Sequence, residues 1–160
     1  MGTDVTCDIE CLFCRIVRGD LRSFPVHEDG EHLAFLTLFP ATPGVTVVIP
    51  RIHVGDDVFH IGETSYDSLL HFARDTAHRL ERGLGVARVA MVFEGTGVPH
   101  VHAKLYPLHG PKASQTDVWS PISQFFAEYP GWLSTHEGPR AADSELARLQ
   151  AAIRKASCRA

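Results

Sequence analysis

The sequence lacks an apolar run long enough to cross a membrane, and it lacks a strong excess of either charge. Its 15 Lys and Arg residues stand against 19 Asp and Glu residues, which gives a formal net charge of −4 at pH 7. Proteins that bind nucleic-acid polymers usually carry a basic surface, so such a polymer is not an expected partner. Because no apolar run is long enough to cross a bilayer, a membrane is not an expected partner either. A small anionic ligand stays compatible, because it needs only a local positive site.

Low-complexity tracts, linkers and internal repeats are also missing from this chain, whose 160 residues suit one domain with a substantial core. Residues 1–7 lack the basic start and the apolar stretch of a secretory signal peptide. We therefore expect a reducing, cytoplasmic location for the protein.

Cysteine is scarce, with only Cys7, Cys11, Cys14 and Cys158 present. In a reducing compartment, the Cys11-x-x-Cys14 pair predicts half of a metal site or a redox pair rather than a disulfide. Zinc bound by two thiolates needs about two more nitrogen or sulfur ligands. Outside the segment 98–107 the candidate histidines are His27, His32, His53, His60, His71, His78, His109 and His136. Of these, His53 follows a predicted strand, where site residues often lie. The structural alternative is two buried free cysteines and a surface histidine. Cys7 and Cys158 are expected to be free thiols.

Apolar periodicity and turn residues predict an α+β fold with an antiparallel sheet of about five strands, one long helix and a helical C-terminal extension. The long helix is expected to begin at a capping Thr64 and to end at Gly83 and Gly85. Residues 109–138 show no clear period. The other predicted elements are a short helix over 11–18, strands over 24–27, 32–38, 45–49 and 88–93, and a last helix over 144–156.

The segment from Val98 to Pro107 alternates apolar and polar residues through Leu105, which predicts a strand. On such a strand His100, His102 and Lys104 share one face, with neighbours about 6.6 Å apart. This row suits phosphate or metal chemistry better than core packing.

His102 is a candidate nucleophile if its other ring nitrogen is held as a donor. Lys104 could hold a phosphate oxygen, or protonate a leaving group if its pKa were lowered. In the structural alternative, His100 is a metal ligand or a satisfied core histidine, and Lys104 only extends its ammonium to solvent. The preceding loop, over residues 94–97, could present backbone N–H groups to a phosphate, although two glycines between strands often form a simple turn.

Several segments, in order, resemble the histidine triad (HIT) family of nucleotide hydrolases and transferases. Val98-Pro99-His100-Val101-His102 is similar to the family signature, and Cys11 to Asp20 is similar to its N-terminal turn. His27-Glu28-Asp29 with Leu33 to Leu36 resembles its hairpin, and Pro40 to His53 resembles its central strand and the histidine after it. The resemblance runs from Cys11 to Pro107.

The resemblance implies a homodimer built on a shared sheet, with a nucleoside monophosphate held in a cleft and its α-phosphate at the signature. His102 would attack that phosphorus and form a nucleotidyl-histidine, which water or another acceptor then releases. The resemblance also implies a structural zinc held by Cys11, Cys14, His53 and His100. By position, the base and ribose would be walled by Phe13, Ile16, Phe35 and Leu38.

The chain departs from the family pattern at residues that would touch the nucleotide. Lys104 replaces the third histidine, and an ammonium, with a reference pKa near ~10.4, is a poorer acid at neutral pH than imidazolium. Thr37 stands where an aspartate commonly meets the ribose, and Phe93 replaces a common asparagine. The loop from Gly95 to Val98, which includes Thr96 and Gly97, is shorter than usual and lacks the family's Gln and Ser that contact phosphate. These residues complete the expected nucleotide-binding set.

The sequence thus predicts a nucleotide-binding phosphohydrolase or nucleotidyl transferase, with His102 and Lys104 as catalytic residues. A second hypothesis is a binding or interaction module that keeps the fold and the zinc but has weakened chemistry. We expect an N-terminal tail over 1–10, a HIT-like domain over 11–110 and an extension over 111–160 that packs on the same domain.

Overall fold

The computed structural model describes residues 10–133 and 139–144. It contains a five-stranded antiparallel sheet, one short helix and one long helix, which confirms the predicted α+β class. The elements in chain order are α1 (Leu12–Arg18), β1 (Pro25–Glu28), β2 (His32–Leu36), β3 (Thr46–Pro50), α2 (Glu63–Leu84), β4 (Arg88–Val92), β5 (Ala103–Leu108) and a short 3₁₀ turn (Pro111–Ser114).

The sheet has the strand order β1-β2-β3-β5-β4, so the last strand in sequence is inserted between β3 and β4. Lys104 of β5 lies opposite Val47 of β3 on one side and Val92 of β4 on the other. This position in the middle of the sheet fixes β5 from both edges, and with it the segment that carries the histidines.

Both faces of the sheet are covered. Because side chains alternate along a strand, Ala34 and Val48 pack with α2 on one face, while Leu33 and Val47 pack with α1 on the other. The long helix presents an apolar stripe to the sheet, whose buried members are Leu69, Phe72, Ala73, Thr76 and Leu80.

The ends of α2 differ in part from the prediction. The helix begins one residue before Thr64, with Gly62 as the extended N-cap residue and no side-chain capping bond, so Thr64 does not cap it. At the other end Gly85 has φ 65° and ends the helix, as expected, whereas Gly83 lies within it.

The histidine strand is shorter than predicted. β5 begins at Ala103, and His100 and His102 lie in the extended segment just before it. The reason is that the backbone N–H of Val101 donates to the carbonyl of Gly55 (2.6 Å), and that of His100 donates to Val98 (2.8 Å), rather than to a neighbouring strand. A loop therefore takes the place of a sheet partner here.

The chain divides into two compact units, residues 1–116 and 117–160. In the second unit, residues 117–133 are irregular, and the predicted helix over 144–156 lies almost wholly outside the described residues, as do Cys7 and Cys158. The packing of the extension stays a prediction. Among the described helices, none is both long and apolar enough to span a bilayer.

Candidate active site and metal centre

Four side chains from three distant parts of the chain meet in a group that could hold a metal ion. The ligand atoms of Cys11, Cys14, His53 and His100 all lie within 4.8 Å of one another. Sγ of Cys11 is 3.5 Å from Nδ1 of His100, and Sγ of Cys14 is 3.6 Å from Nδ1 of His53. The set that the resemblance implied is thus brought together.

Each ligand is positioned by its local structure. Cys11 is the N-cap residue of α1 and Cys14 lies one turn on, so both thiols face the same side of the helix. His53 follows β3, and His100 precedes β5. The Nε2–H of His100 donates to the carbonyl of Pro50 (2.9 Å), which leaves Nδ1 facing the thiols. Burial lowers the pKa of His100 to about 4, so this imidazole is neutral and can act as a ligand.

The ring of His102 is fixed in one tautomer. Its Nδ1–H donates to the carbonyl of His100 (2.8 Å), and the edge of Phe13 packs against the ring at 5.2 Å between centroids. Burial lowers the pKa of His102, whose residue is only 3% exposed. Nε2 therefore carries the free electron pair. Within the described part of the chain, no protein group forms a hydrogen bond with Nε2.

Lys104 is paired with an acidic residue that the sequence analysis missed. Its Nζ lies 3.0 Å from Oε2 of Glu94, and both side chains are largely shielded from solvent, with exposures of 29% and 13%. Val92 lies opposite Lys104 in the sheet, and Glu94 is two residues further along, on the same side. Only the strand register reveals this pair.

A mainly apolar cavity of about 460 Å³ opens beside His102 and Lys104. It contains most of the residues predicted to bind a nucleotide: Phe13, Ile16, Phe35, Thr37, Leu38, Thr96, Gly97 and Val98. Sequence analysis missed several further lining residues, which are scattered over α1, β2, β3 and the loops and form no site-like pattern in the sequence: Leu12, Leu21, Arg22, Ser23, Leu36, Phe39 and Val47. None of the described lining residues is acidic.

Phe93 does not line the apolar cavity, although it was predicted with the nucleotide-binding set. It lies instead in a second, more polar cavity of about 580 Å³, which also reaches His102. Phe93 packs against the core cluster that includes the buried residues of α2, whereas Thr96 lines the apolar cavity. The other lining residues are Asp56, Asp57, Val58, Phe59, His60, Glu94, Gly95 and Val101.

The other described histidines lie apart from the metal-site group. His71 and His78 are exposed on α2. The ring of His27 stacks on Phe72 of α2 (4.3 Å), and His32 stacks on the same phenyl ring (4.9 Å). These two histidines support the hairpin against the long helix.

Comparison with known proteins finds relatives by sequence and by structure. No protein-family model matches the chain. Protein hit of Bacillus subtilis is 30% identical over 118 residues, which cover 71% of this chain and 81% of that protein. The yeast adenosine 5′-monophosphoramidase HNT1 is 29% identical over 125 residues, covering 74% of this chain and 75% of the relative.

A solved structure also matches the fold. The crystal structure of a HIT family member from Bacillus subtilis superposes with a TM-score of 0.63 at 24% identity, covering 91% of this chain and 96% of that one. The fold thus matches that of a solved HIT family member, and the sequence is similar to that of the Bacillus protein hit. The chain belongs to the histidine triad (HIT) family.

Proposed function

We propose that this protein is a zinc-containing hydrolase or nucleotidyl transferase that cleaves nucleotides at the α-phosphate through a covalent intermediate on His102. The observation that carries the proposal is the held tautomer of His102. Its Nδ1–H is committed to the carbonyl of His100, so the electron pair of Nε2 is available at the junction of two cavities.

In the first step, Nε2 of His102 attacks the α-phosphorus, and the new N–P bond forms as the bond from phosphorus to the leaving group breaks. The leaving group departs with the bonding pair and takes a proton from solvent. Water then attacks the same phosphorus, the N–P bond breaks, and its electron pair returns to Nε2 while water gives its proton to solvent. The products are a nucleoside monophosphate and the protonated leaving group.

Lys104 is proposed to hold the phosphate. An ammonium has three N–H donors, and one is directed to Glu94 in the present geometry. The remaining donors can meet phosphate oxygens where β5 enters the apolar cavity. This role needs only the charge of Lys104 and does not require it to act as an acid.

The apolar cavity is proposed to take the nucleoside. The rings of Phe13 and Phe35 meet edge to face at 5.7 Å and form part of its wall, and Phe13 also touches His102. A base packed against these rings would place its phosphate at the same end as His102. The name of the yeast relative makes an adenosine phosphoramidate the first compound to try.

Zinc fits the proposed metal site. Tetrahedral coordination with ordinary Zn–S and Zn–N lengths places sulfur and nitrogen ligands about 3.6 Å apart. The observed separations of Cys11 and Cys14 from His100 are 3.5 and 3.7 Å. When bound, zinc would join α1, the loop after β3 and the segment before β5 into one structural unit. Cys11, Cys14, His53 and His100 would hold it.

The experiment that tests the function is trapping. Purified protein is mixed with the adenosine phosphoramidate, quenched within seconds and digested, and mass spectrometry is used to search for adenylate on the peptide that contains His102. We expect an adduct and turnover in the native protein, and neither in His102→Ala. His71→Ala, on the exposed face of α2, is the matched control.

The second candidate function is a binding module with weakened chemistry, which the replacement of the third histidine by Lys104 favours. Tight binding of AMP without any adduct or turnover over a panel of nucleotide conjugates would reject the enzymatic proposal and support the module. The homodimer, the cytoplasmic location and the packed extension stay predictions, and light scattering of the purified protein checks the first of them.

A further inference from the structure

The two cavities that meet at His102 differ in charge. The apolar cavity has Arg22 and Lys104 among its lining residues and no acidic one among those described. The second cavity contains the carboxylates of Asp56, Asp57 and Glu94 and no Lys or Arg among those described. The Lys104–Glu94 ion pair joins a residue of one lining to a residue of the other. A substrate held at His102 therefore meets opposite charge on its two sides.

The carboxylates of the second cavity are held in place by local contacts. The backbone N–H of Phe59 donates to Oδ1 of Asp57 (2.9 Å), and Nδ1 of His60 lies 2.8 Å from Oδ2. These two hydrogen bonds lower the pKa of Asp57, so its carboxylate is ionised at neutral pH. Asp56 is exposed at the same loop. Three carboxylate residues thus line this cavity, and of these described residues only Glu94 is shown paired with the ammonium of Lys104.

Two aromatic rings add to the attraction for a positive charge. Phe59 and Phe93 both line this cavity, and Phe59 is 81% exposed. The face of an aromatic ring attracts a cation within about 6 Å. A phosphate placed here would instead face carboxylates, and like charges at such distances repel.

The cavity is more than an acidic surface patch, because the buried residue His102 is part of its lining. His102 is 3% exposed, and within the described residues its Nε2 forms no hydrogen bond to protein. A phosphorus atom held at Nε2 carries two substituents, the nucleoside and the leaving group. The structure offers one cavity for each, and the apolar one suits the nucleoside.

We infer that the acidic cavity binds the leaving group and selects leaving groups that carry a positive charge, such as an amine or alcohol with a second, protonated amino group. This inference rests on the function proposed above for His102. It assigns Asp56, Asp57 and Glu94 to leaving-group recognition, and it predicts discrimination against leaving groups that carry further phosphates.

The test compares two adenosine 5′-phosphoramidates with the same nucleoside and the same kind of scissile bond. One carries putrescine, whose distal amino group is protonated, and the other carries n-pentylamine, in which a methyl group replaces that ammonium. At pH 8 we expect kcat/KM about tenfold higher for the putrescine compound in the native protein. Raising the salt concentration should reduce this ratio.

The variants Asp56→Asn and Asp57→Asn should each lower the ratio of the two kcat/KM values, because each removes one negative charge that attracts the distal ammonium of the putrescine compound. Asp67→Asn, on the exposed face of α2, is the matched control and should keep the native ratio. Among the described residues the side chain of Asp56 forms no hydrogen bond, so Asp56→Asn tests the charge even if Asp57→Asn fails to fold.

The outcomes separate the two proposals. Equal kcat/KM for both compounds, with an adenylate adduct on His102, overturns the inference about the acidic cavity and leaves the proposed function standing. Absence of turnover and of adduct with both compounds overturns the proposed function, and the inference with it. A native preference that Asp56→Asn leaves unchanged also overturns the inference.

Discussion

At the scale of single residues, the two histidines of the signature segment have opposite surroundings although they are only two residues apart. His100 offers Nδ1 to two thiols and donates through Nε2, whereas His102 donates through Nδ1 and leaves Nε2 without a protein partner among the described residues. Their backbone neighbours decide this difference, since each ring nitrogen that donates does so to a backbone carbonyl. The chemistry of the site therefore depends on tautomers that the fold selects.

Lys104 provides the first prediction. Lys104→Gln should weaken AMP binding about 10- to 100-fold, because it removes a charge-assisted hydrogen bond to phosphate and leaves the Glu94 carboxylate to repel the anion. Isothermal titration calorimetry measures this loss. Part of the affinity should return in the Lys104→Gln, Glu94→Gln double variant. Arg82→Gln, on the exposed side of α2, is the control. Unchanged AMP affinity in Lys104→Gln would contradict the proposed contact between Lys104 and the phosphate.

His27 provides the second prediction, which concerns pH. Burial lowers the pKa of His27, and the charge of Arg79 lowers it further, while Asp29 and Asp75 act in the opposite direction. The unfolded chain therefore binds a proton more readily, and the stability that His27 contributes is present above pH 6.5 and lost as the pH falls through its lowered folded value.

Urea unfolding at pH 8 and pH 5.5 measures the effect. We expect the free energy of unfolding to fall more steeply with acid in the native protein than in His27→Gln, whose amide can still bond to Thr76. Both proteins keep the metal-site residues, so acid effects at that site cancel in the comparison. Equal slopes would show that His27 does not titrate with folding.

At the scale of elements, the sequence predicted the helices and strands whose formation depends on residues close together in the chain. The alternation of Leu33 to Leu36 and the apolar stripe of α2 follow from side-chain periodicity, so strands and helices were expected at nearly the right places. The start of β5 and the pairing of Lys104 with Glu94 were missed, because both depend on strand register and on the contact between Val101 and Gly55. Those contacts join residues far apart in sequence, which no local pattern encodes.

The turn before β3 provides the third prediction. Gly44 has φ +84°, and a Cβ built there would lie 2.5 Å from Cδ1 of Leu84, at the end of α2. Gly44→Ala should therefore lower the free energy of unfolding by about 1–2 kcal/mol, mainly through the left-handed backbone conformation. Gly30→Ala, where nothing lies within 4 Å, is the control and should change stability little. Chemical denaturation of both variants gives the comparison.

At the scale of the whole molecule, the four candidate metal ligands connect parts of the chain that hydrogen bonds of the sheet do not join. Cys11 and Cys14 lie at the N-terminus and in the first turn of α1, and His53 and His100 lie beyond the ends of the strands. The resemblance, rather than any spacing rule, was needed to choose His53 and His100 among ten histidines. The geometry then brings the four together, as a closed structural site requires.

The fourth prediction concerns this metal site. Elemental analysis should find one zinc per chain in the native protein and much less in Cys14→Ser, with Cys7→Ser as the matched control. Removal of zinc with a chelator should lower the unfolding temperature, because a ligand that binds only the folded state stabilises it, by about 4 kcal/mol at 1,000 times its Kd. An unfolding temperature that does not respond to the chelator would argue against a structural ion.

His100 is fixed at its ring by the thiols and by Pro50, and its carbonyl in turn orients His102. The positions of the proposed metal ligands and of the proposed nucleophile thus both depend on His100, so a substitution that moves one is expected to move the other. A redesign that aims to move the phosphate without disturbing the metal has to act elsewhere. The loop with Gly95 (φ 70°) and Gly97 (φ 91°) is the available place, since it reaches both cavities and supplies no metal ligand.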